Sequence, residues 1–406
     1  MKTKGMICLY LVIYVLLSGC WNQRELTDMA IVSAIGIDIN ENGLYVGTFQ
    51  IVNPTGVPGT LQGGATKGSS VVTYTATGKN MVELSRRVSN KVSRVIFYSH
   101  ANLVVIGEKL AREKDISNIL EALDRDIEFR KTSKVVIAHR STAAELLKVT
   151  TPLDKVPANK LTKTLEFSEE SWGDTFSLNV QELIESLTTE GKEPVIPGFK
   201  ITGNIEAGKK DENIQMIDPD TVLKAVGVAV FKDGRLVSWQ YDQEARGLVW
   251  VLDKIKQTNI SVDWENEKNA IAYQLLRANT KVNAEMENGK PVISIKISAQ
   301  GDVGEVTVPI NIKDLHVRTE IENKVEKDIK NLIQHSIKRI QSEQTDVFGF
   351  GEKIYRSYPK KWKKLEHDWN DKHFPTLKIN VKVDASIIRS GLRNNPFILQ
   401  MKSNEE

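Results

Sequence analysis

Residues 321–340 read IENKVEKDIKNLIQHSIKRI. Ile321, Val325, Ile329, Leu332, Ile333, Ile337 and Ile340 recur every three or four positions, with lysines and glutamates between them. That spacing gathers the apolar side chains onto one stripe of an α-helix. Twenty or so residues of helix are about 30 Å long, so the stripe needs an extended partner and predicts a sheet beneath it. One candidate strand follows: Leu377, Ile379, Val381, Val383, Ala385 and Ile387 alternate strictly with polar residues, the pattern of a half-buried strand. Upstream, Val282 to Glu287, the turn Asn288-Gly289 and Val292 to Ile297 read as a hairpin. Trp362, Leu365 and Trp369 mark a shorter helix opened by Pro359.

Towards the N-terminus the same alternation of periods continues. Val222 to Phe231, Asp233-Gly234 and Leu236 to Trp239 form a hairpin candidate, followed by a helix around Leu248 to Ile255. Ala30 to Asp38, the turn Asn42-Gly43 and Leu44 to Val52 form another, then a glycine-rich loop from Thr55 to Ser70 precedes a strand at Val71 to Thr77. Leu84, Val88, Val92 and Val95 predict a helix, Asn102 to Ile106 and Lys134 to Ala138 strands, and Ile116 to Leu123, Thr142 to Leu147 and Leu178 to Leu187 helices. The expected class is α/β, mixed sheets flanked by helices, in two major regions of which the first is open to subdivision. The polar stretch Gly208 to Asp220 places the boundary. The organisation read is a leader at 1–19, an N-terminal α/β region at 20–208, a linker at 209–220, a C-terminal α/β domain at 221–395 and a tail at 396–406.

The leader carries Lys2 and Lys4, then thirteen uncharged residues from Gly5 to Leu17. A membrane-spanning helix needs about 20 apolar residues, so a cleaved export signal is the better reading. The junction Leu17-Ser18-Gly19-Cys20 resembles the lipobox of bacterial lipoproteins. By that resemblance Cys20 is the first mature residue and the lipid anchor, bearing S-diacylglycerol and an N-acyl group. The only other cysteine, Cys8, lies inside the leader, so the mature chain has no disulfide to form.

Composition and motifs exclude several functions. Apolar residues make up 40% and charged residues 26%, the soluble globular norm. Lys plus Arg number 55 against 52 Asp plus Glu, which is too balanced for generic nucleic-acid binding. The Lys360 to Lys364 cluster is read as a solvated helix face, and Asp124, Asp126 and Glu128 among Arg125, Arg130 and Lys131 as a salt-bridge network. There is no Gly-x-Ser-x-Gly, His-Glu-x-x-His, Cys-x-x-Cys or phosphate-loop motif. His367 and His373 are six residues apart, which does not put them on one helix face for a metal. Gly349-Phe350-Gly351 lacks the third glycine of a dinucleotide fingerprint and is read as a tight turn between two helices. No catalytic residue, cofactor or metal is expected.

Several of these segments match a known family together. They are Gly19-Cys20-Trp21-Asn22-Gln23-Arg24-Glu25-Leu26, Ile35-Gly36-Ile37-Asp38, and Ser99-His100-Ala101-Asn102 leading to Ile106-Gly107-Glu108. Further on come Gly227-Val228-Ala229-Val230-Phe231-Lys232, Glu244-Ala245-Arg246-Gly247-Leu248, and Asp346-Val347-Phe348-Gly349-Phe350-Gly351 with Pro359, Trp362 and Trp369 behind. End to end, the chain resembles the Ger(x)C lipoproteins, the C subunits of spore germinant receptors in endospore-forming bacteria. The resemblance implies a membrane-anchored, non-enzymatic subunit on the spore inner membrane. Its implied partners are a receptor A subunit with soluble domains, a transporter-like B subunit and the lipid bilayer through Cys20. Direct germinant binding is not expected of this chain. At Arg246 and at Phe348 to Gly351, capping and turn geometry are expected ahead of partner contact. The rival reading is a solute-binding lipoprotein that captures a small nutrient for a transporter, which needs a large interdomain pocket with convergent polar groups. A hydrolase needs a nucleophile or metal constellation that the sequence does not offer.

Overall fold

The computed structural model describes residues 25–53 and 69–389. Cys20, the leader, the 396–406 tail and most of the expected glycine-rich loop lie outside them. Among the described residues, two sheets carry the fold. The first has nine strands: β1 (Met29–Ile39), β2 (Tyr45–Val52), β3 (Val71–Gly78), β4 (Val95–Phe97), β5 (Leu103–Gly107), β6 (Lys134–Ala138), β7 (Val195–Gly203), β8 (Thr221–Lys232) and β9 (Arg235–Gln240). Their order is β3-β2-β1-β5-β6-β7-β8-β9, with β4 pairing the start of β1. The centre, β1-β5-β6-β7, is parallel, and the two flanks are antiparallel.

Parallel strands need crossovers, and helices supply them on both faces. On one side lie α1 (Met81–Ser89), α2 (Glu108–Glu113), α3 (Ser117–Arg125) and α6 (Val180–Thr188); on the other lie α4 (Ala143–Lys148) and α5 (Pro157–Ser171). This is why β1 reads as a nearly continuous apolar run and is buried along almost its whole length. Its alternate residues serve different cores. Ile35 and Ile37 join the cluster that holds Val104 and Ile106, while Ala34 joins Leu103, Val105 and Val136 beneath α4 and α5. Gly36 faces α4, where a Cβ would stand 3.0 Å from the Leu147 side chain.

The second sheet runs β10 (Thr258–Trp264), β11 (Glu267–Glu287), β12 (Lys290–Val306) and β13 (Lys378–Arg389), in that order. The β12 to β13 pairing is parallel, and α8 (Leu315–Ser342) forms the crossover. Ile321, Val325, Ile329, Ile333, Ile337 and Ile340 of α8 are all buried, whereas Leu332 of the predicted stripe is only half-buried. Val381, Val383, Ala385 and Ile387 of β13 are buried and the residues between them face water. Before this sheet comes α7 (Asp242–Val251), which crosses α8 at Gly247. A Cβ there would lie 2.6 Å from that of Ser336, and the Ser336 hydroxyl donates to the Glu244 carbonyl at 2.9 Å.

Several expectations are adjusted by this arrangement. The sheets do not divide at 209–220: β8 pairs β7 and β9 pairs β8, extending the first sheet, and 205–208 and 212–215 form short helical turns. One continuous core runs from Ile37 through Phe231 and Trp250 to Ile293 and Ile333, so both sheets share their apolar interior. Val95 sits in β4, not in a helix with Leu84 and Val88, because α1 ends at Ser89 and Val95 pairs Met29. The helix opened by Pro359 lasts only to Trp362 before 3-10 and π turns take over.

Candidate functional site

The most elaborate polar structure among the described residues is built around Asp346, which follows α8. Its carboxylate is fully enclosed and accepts from the Phe350 N–H at 3.2 Å, the Gly351 N–H at 2.8 Å and the Trp369 indole at 2.9 Å. Burial pushes the carboxyl up to about 6, while the three donors pull the other way. Gly349 precedes α9 (Phe350–Ser357) with φ of 72°, a left-handed conformation that suits glycine, so the expected turn is confined to Gly349 and the residues before it, while Phe350 and Gly351 already belong to the helix. Phe348 stacks on Phe350, Phe374 meets Phe350 at a tilt, and Trp362 meets Trp369 edge-on at 5.3 Å.

This knot clasps the segment entering β7. Glu193 N–H donates to the Asp346 carbonyl at 2.8 Å, and Glu352 N–H to the Gly191 carbonyl at 3.3 Å. The Trp362 indole donates to Glu190 at 3.0 Å, and Asn370 to Glu193 at 3.1 Å. Gly191 and Gly351 meet backbone to backbone: a Cβ on Gly351 would fall 2.8 Å from the Gly191 Cα. Beside the knot lies a polar cavity of 490 Å³ lined by Lys192, Glu193, Lys232, His367 and Asp371. Lys232 already pairs with Asp371 at 2.8 Å and Glu193 accepts the Asp233 N–H at 3.2 Å, so these three side chains are engaged within the protein.

Desolvation raises the Glu193 carboxyl to about 7, although Asp233 and Asn370 hydrogen-bond it. A carboxyl raised on folding stabilises the native state most at low pH and loses that contribution as pH climbs through the folded value. Resistance to urea should therefore fall by about 1 to 2 kcal/mol, after allowance for partial exposure, between about pH 5 and about pH 8. Glu193→Gln should flatten the upper part of that slope, which urea midpoints measured across pH would show.

Arg246 stands on α7 with its guanidinium 4.5 Å from the centre of the Trp172 ring. Its Nη1 reaches the Asn259 carbonyl at 3.5 Å, and its buried Nε meets no acceptor among the described residues. Burial lowers its pKa against the pull of Asp174 and Asp242. The groove beside it, 650 Å³, is bordered by Asn259, Asp328, Asn331 and His335. Arg246 is thus a stacking cation at the α7–α8 crossing and not a helix cap, a placement the sequence did not indicate.

Sequence reading also missed a buried network at the far end of the parallel strands. Glu108 accepts from the Trp239 indole at 3.1 Å and the Arg140 N–H at 2.7 Å, and lies 3.1 Å from His139 Nδ1. The Tyr241 hydroxyl lies 3.4 Å from His139 Nε2, and burial pushes the histidine's pKa down. Both ring nitrogens are engaged, which makes this a brace between β6, α2 and β9. The signal that could have found it is the position of Glu108 and His139 just past the ends of adjacent parallel strands. Of the other residues singled out, Asp124 pairs with Lys131 and Arg125 with Glu121 at 2.5 Å, and Lys363 and Lys364 face solvent. No group of His, Cys, Asp and Glu among the described residues is arranged to hold a metal ion.

The result is a two-sheet α/β body whose polar groups brace its own elements, and its relatives place it in a family. The chain belongs to the spore germination protein family: residues 22–201 match the family described as "Spore germination protein N-terminal domain" and residues 226–391 that described as "Spore germination B3/ GerAC like, C-terminal". It is 42% identical to Spore germination protein KC of Bacillus subtilis (strain 168), over 97% of each chain. It is 24% identical to Spore germination protein B3 of the same organism, over 96% of this chain and 99% of that one. The crystal structure of the GerBC protein matches with a TM-score of 0.55 at 20% identity, over 87% of this chain and 96% of that one, and so shares the fold. The chain is a homologue of germinant-receptor C subunits with a role in spore germination. The gap between the two family matches, at 202–225, coincides with the polar stretch read from the sequence, although the hydrogen-bonded sheet runs across it.

Proposed function

We propose that this chain is a non-enzymatic, lipid-anchored subunit of a nutrient germinant receptor. Diacylglycerol on Cys20 holds it on the outer face of the membrane, the spore inner membrane in the dormant cell, beside the receptor's A and B subunits. The observation that carries this reading is the 42% identity to a spore germination protein along 97% of both chains. The lipobox-like Leu17-Ser18-Gly19-Cys20 behind an uncharged run supports the anchor. Among the described residues no helix is long and apolar enough to cross a membrane. One acyl chain, at about 0.8 kcal/mol per buried methylene, holds a protein only marginally, whereas two hold it firmly. A diacylated cysteine is therefore sufficient attachment.

Cys20→Ala is expected to abolish lipidation with the fold intact, since Cys20 precedes β1 and has no disulfide partner in the mature chain, and membrane association should then depend on any retained leader or on protein partners alone. Nutrient-triggered germination should fall accordingly. Mass spectrometry of the membrane-extracted wild type should give an N-terminal peptide that begins at Cys20 and carries the diacylglycerol mass. Unmodified Cys20 in a stably membrane-bound mature protein would refute the anchor.

A further inference from the structure

Because β1, β4, β5 and β6 run parallel, all four begin at one edge of the first sheet. The loops that feed this edge are bound to one another. Asn102 N–H donates to the Ser33 carbonyl at 3.0 Å, Lys134 N–H to the Asn102 carbonyl at 2.8 Å, and the Ser99 hydroxyl to the Glu128 carbonyl at 2.9 Å. In the loop before β6, Asp126 accepts the Glu128 N–H at 2.9 Å on its side chain and the Phe129 N–H at 3.2 Å on its carbonyl, and Phe129 is buried. Between them stands Ile127, 99% exposed. A rigid turn with a buried phenylalanine thus holds an isoleucine wholly in water, and Val95 of β4, on the same edge, is 48% exposed.

A single exposed isoleucine is ordinary on a protein surface. Its position is what matters. Only five peptide steps separate Cys20 from Glu25, a reach of roughly 17 Å when fully extended. The chain then enters β1 at Met29, on this same edge. Trp21, next to the candidate anchor, is a side chain suited to the membrane interface. The exposed cations Arg125, Arg130 and Lys131 lie in or beside this loop, and exposed Arg94 stands just before β4. Arg125 and Lys131 are paired with Glu121 and Asp124, while Arg94 and Arg130 make no ion pair among the described residues. Charge here is near balance, so apolar insertion leads and headgroup attraction assists.

We propose that this edge lies on the bilayer, with Ile127 entering at headgroup level and Arg94 and Arg130 against anionic lipid. The inference rests on the reading of Cys20 as the lipid anchor and sets how the body stands above it. The opposite edge, at the β1–β2 turn with exposed Glu41, then points away from the membrane.

Ile127→Cys and Glu41→Cys each give the mature chain one free thiol, because Cys20 is acylated and Cys8 is in the leader. Each full-length lipoprotein, labelled with an environment-sensitive fluorophore, would be reconstituted into phosphatidylcholine–phosphatidylglycerol vesicles that contain nitroxide-bearing acyl chains. Quenching at residue 127 should exceed that at residue 41 about threefold or more, with a blue-shifted emission. If mass spectrometry shows Cys20 acylated yet both labels report water, or residue 41 is the quenched one, the edge assignment is wrong and the anchor stands. If Cys20 is unmodified, the anchor reading fails and this orientation fails with it.

Discussion

Ile333→Asp is expected to unfold the second half of the protein at moderate temperature, at a cost of about 4 kcal/mol or more. Ile333 has no solvent exposure and lies mid-stripe on α8, between the second sheet and α7. The substitution removes an apolar side chain from a filled site and puts a carboxylate there. Single domains are stable by only about 5 to 15 kcal/mol, so the loss is a large share of the whole. Ile329→Asp is the informative comparison, because Ile329 borders the groove in which Arg246 stands and a carboxylate there can reach water or the guanidinium. Urea melts of the soluble mature chain should rank the two variants with Ile333→Asp the worse. Equal midpoints would mean that the stripe is not the core of this half.

Gly351→Val should loosen the knot that joins the two sheets without melting either. The Gly351 backbone tolerates a side chain, but its Cβ would stand 2.7 Å from the Trp362 ring and 2.8 Å from both the Cα and the carbonyl oxygen of Gly191. Two of those neighbours are backbone atoms and cannot rotate away. Overpacking of flexible side chains costs about 1 to 3 kcal/mol, and the rigid contact here should sit at or above the top of that range. The readout is hydrogen exchange. The N–H groups of Glu193, Phe350 and Gly351, which are donors in the knot, should lose protection first, while those of β12 keep theirs. Unchanged protection in the knot would show that the two glycines do not clamp the junction.

Local periodicity carried much of the fold. The 321–340 stripe, the alternation in β13 and the turns at Asn42-Gly43, Asp233-Gly234 and Asn288-Gly289 all lie where their spacing predicted, because each is decided by neighbours in sequence. The first half of β11 was illegible for a definite reason. The register shift at Leu275/Arg277 inserts an extra residue into β11, so the buried positions Ile271, Tyr273 and Leu275 before it and Thr280 and Ala284 after it are out of phase, and no single alternation runs through the 21-residue strand. The residues of α5 were hidden differently, since Ala158, Leu161, Leu165 and even Glu169 make up a thin buried face among Lys and Thr.

The site was legible in part. The Asp346 to Gly351 segment and both tryptophans were visible as motifs, but Glu190, Gly191 and Glu193, against which they close, carry no local signature. Their importance comes from partners more than a hundred residues away. The allegiance of β8 and β9 to the first sheet is set at shorter range, by the pairing of β8 with the preceding strand β7 and of β9 with β8, and not by the polar stretch before them.

The contact between Gly191 and Gly351 has a mechanical consequence. A hinge needs compliant side chains or a solvated gap at its pivot, and here two main chains touch with nothing between them, close to where the shared core crosses from sheet to sheet. Such a body works like a strut and not like a jaw. On the proposed orientation, a displacement applied at the tip of the β11–β12 ribbon would reappear at the anchored end as a tilt of the whole, undamped by any opening or closing in between.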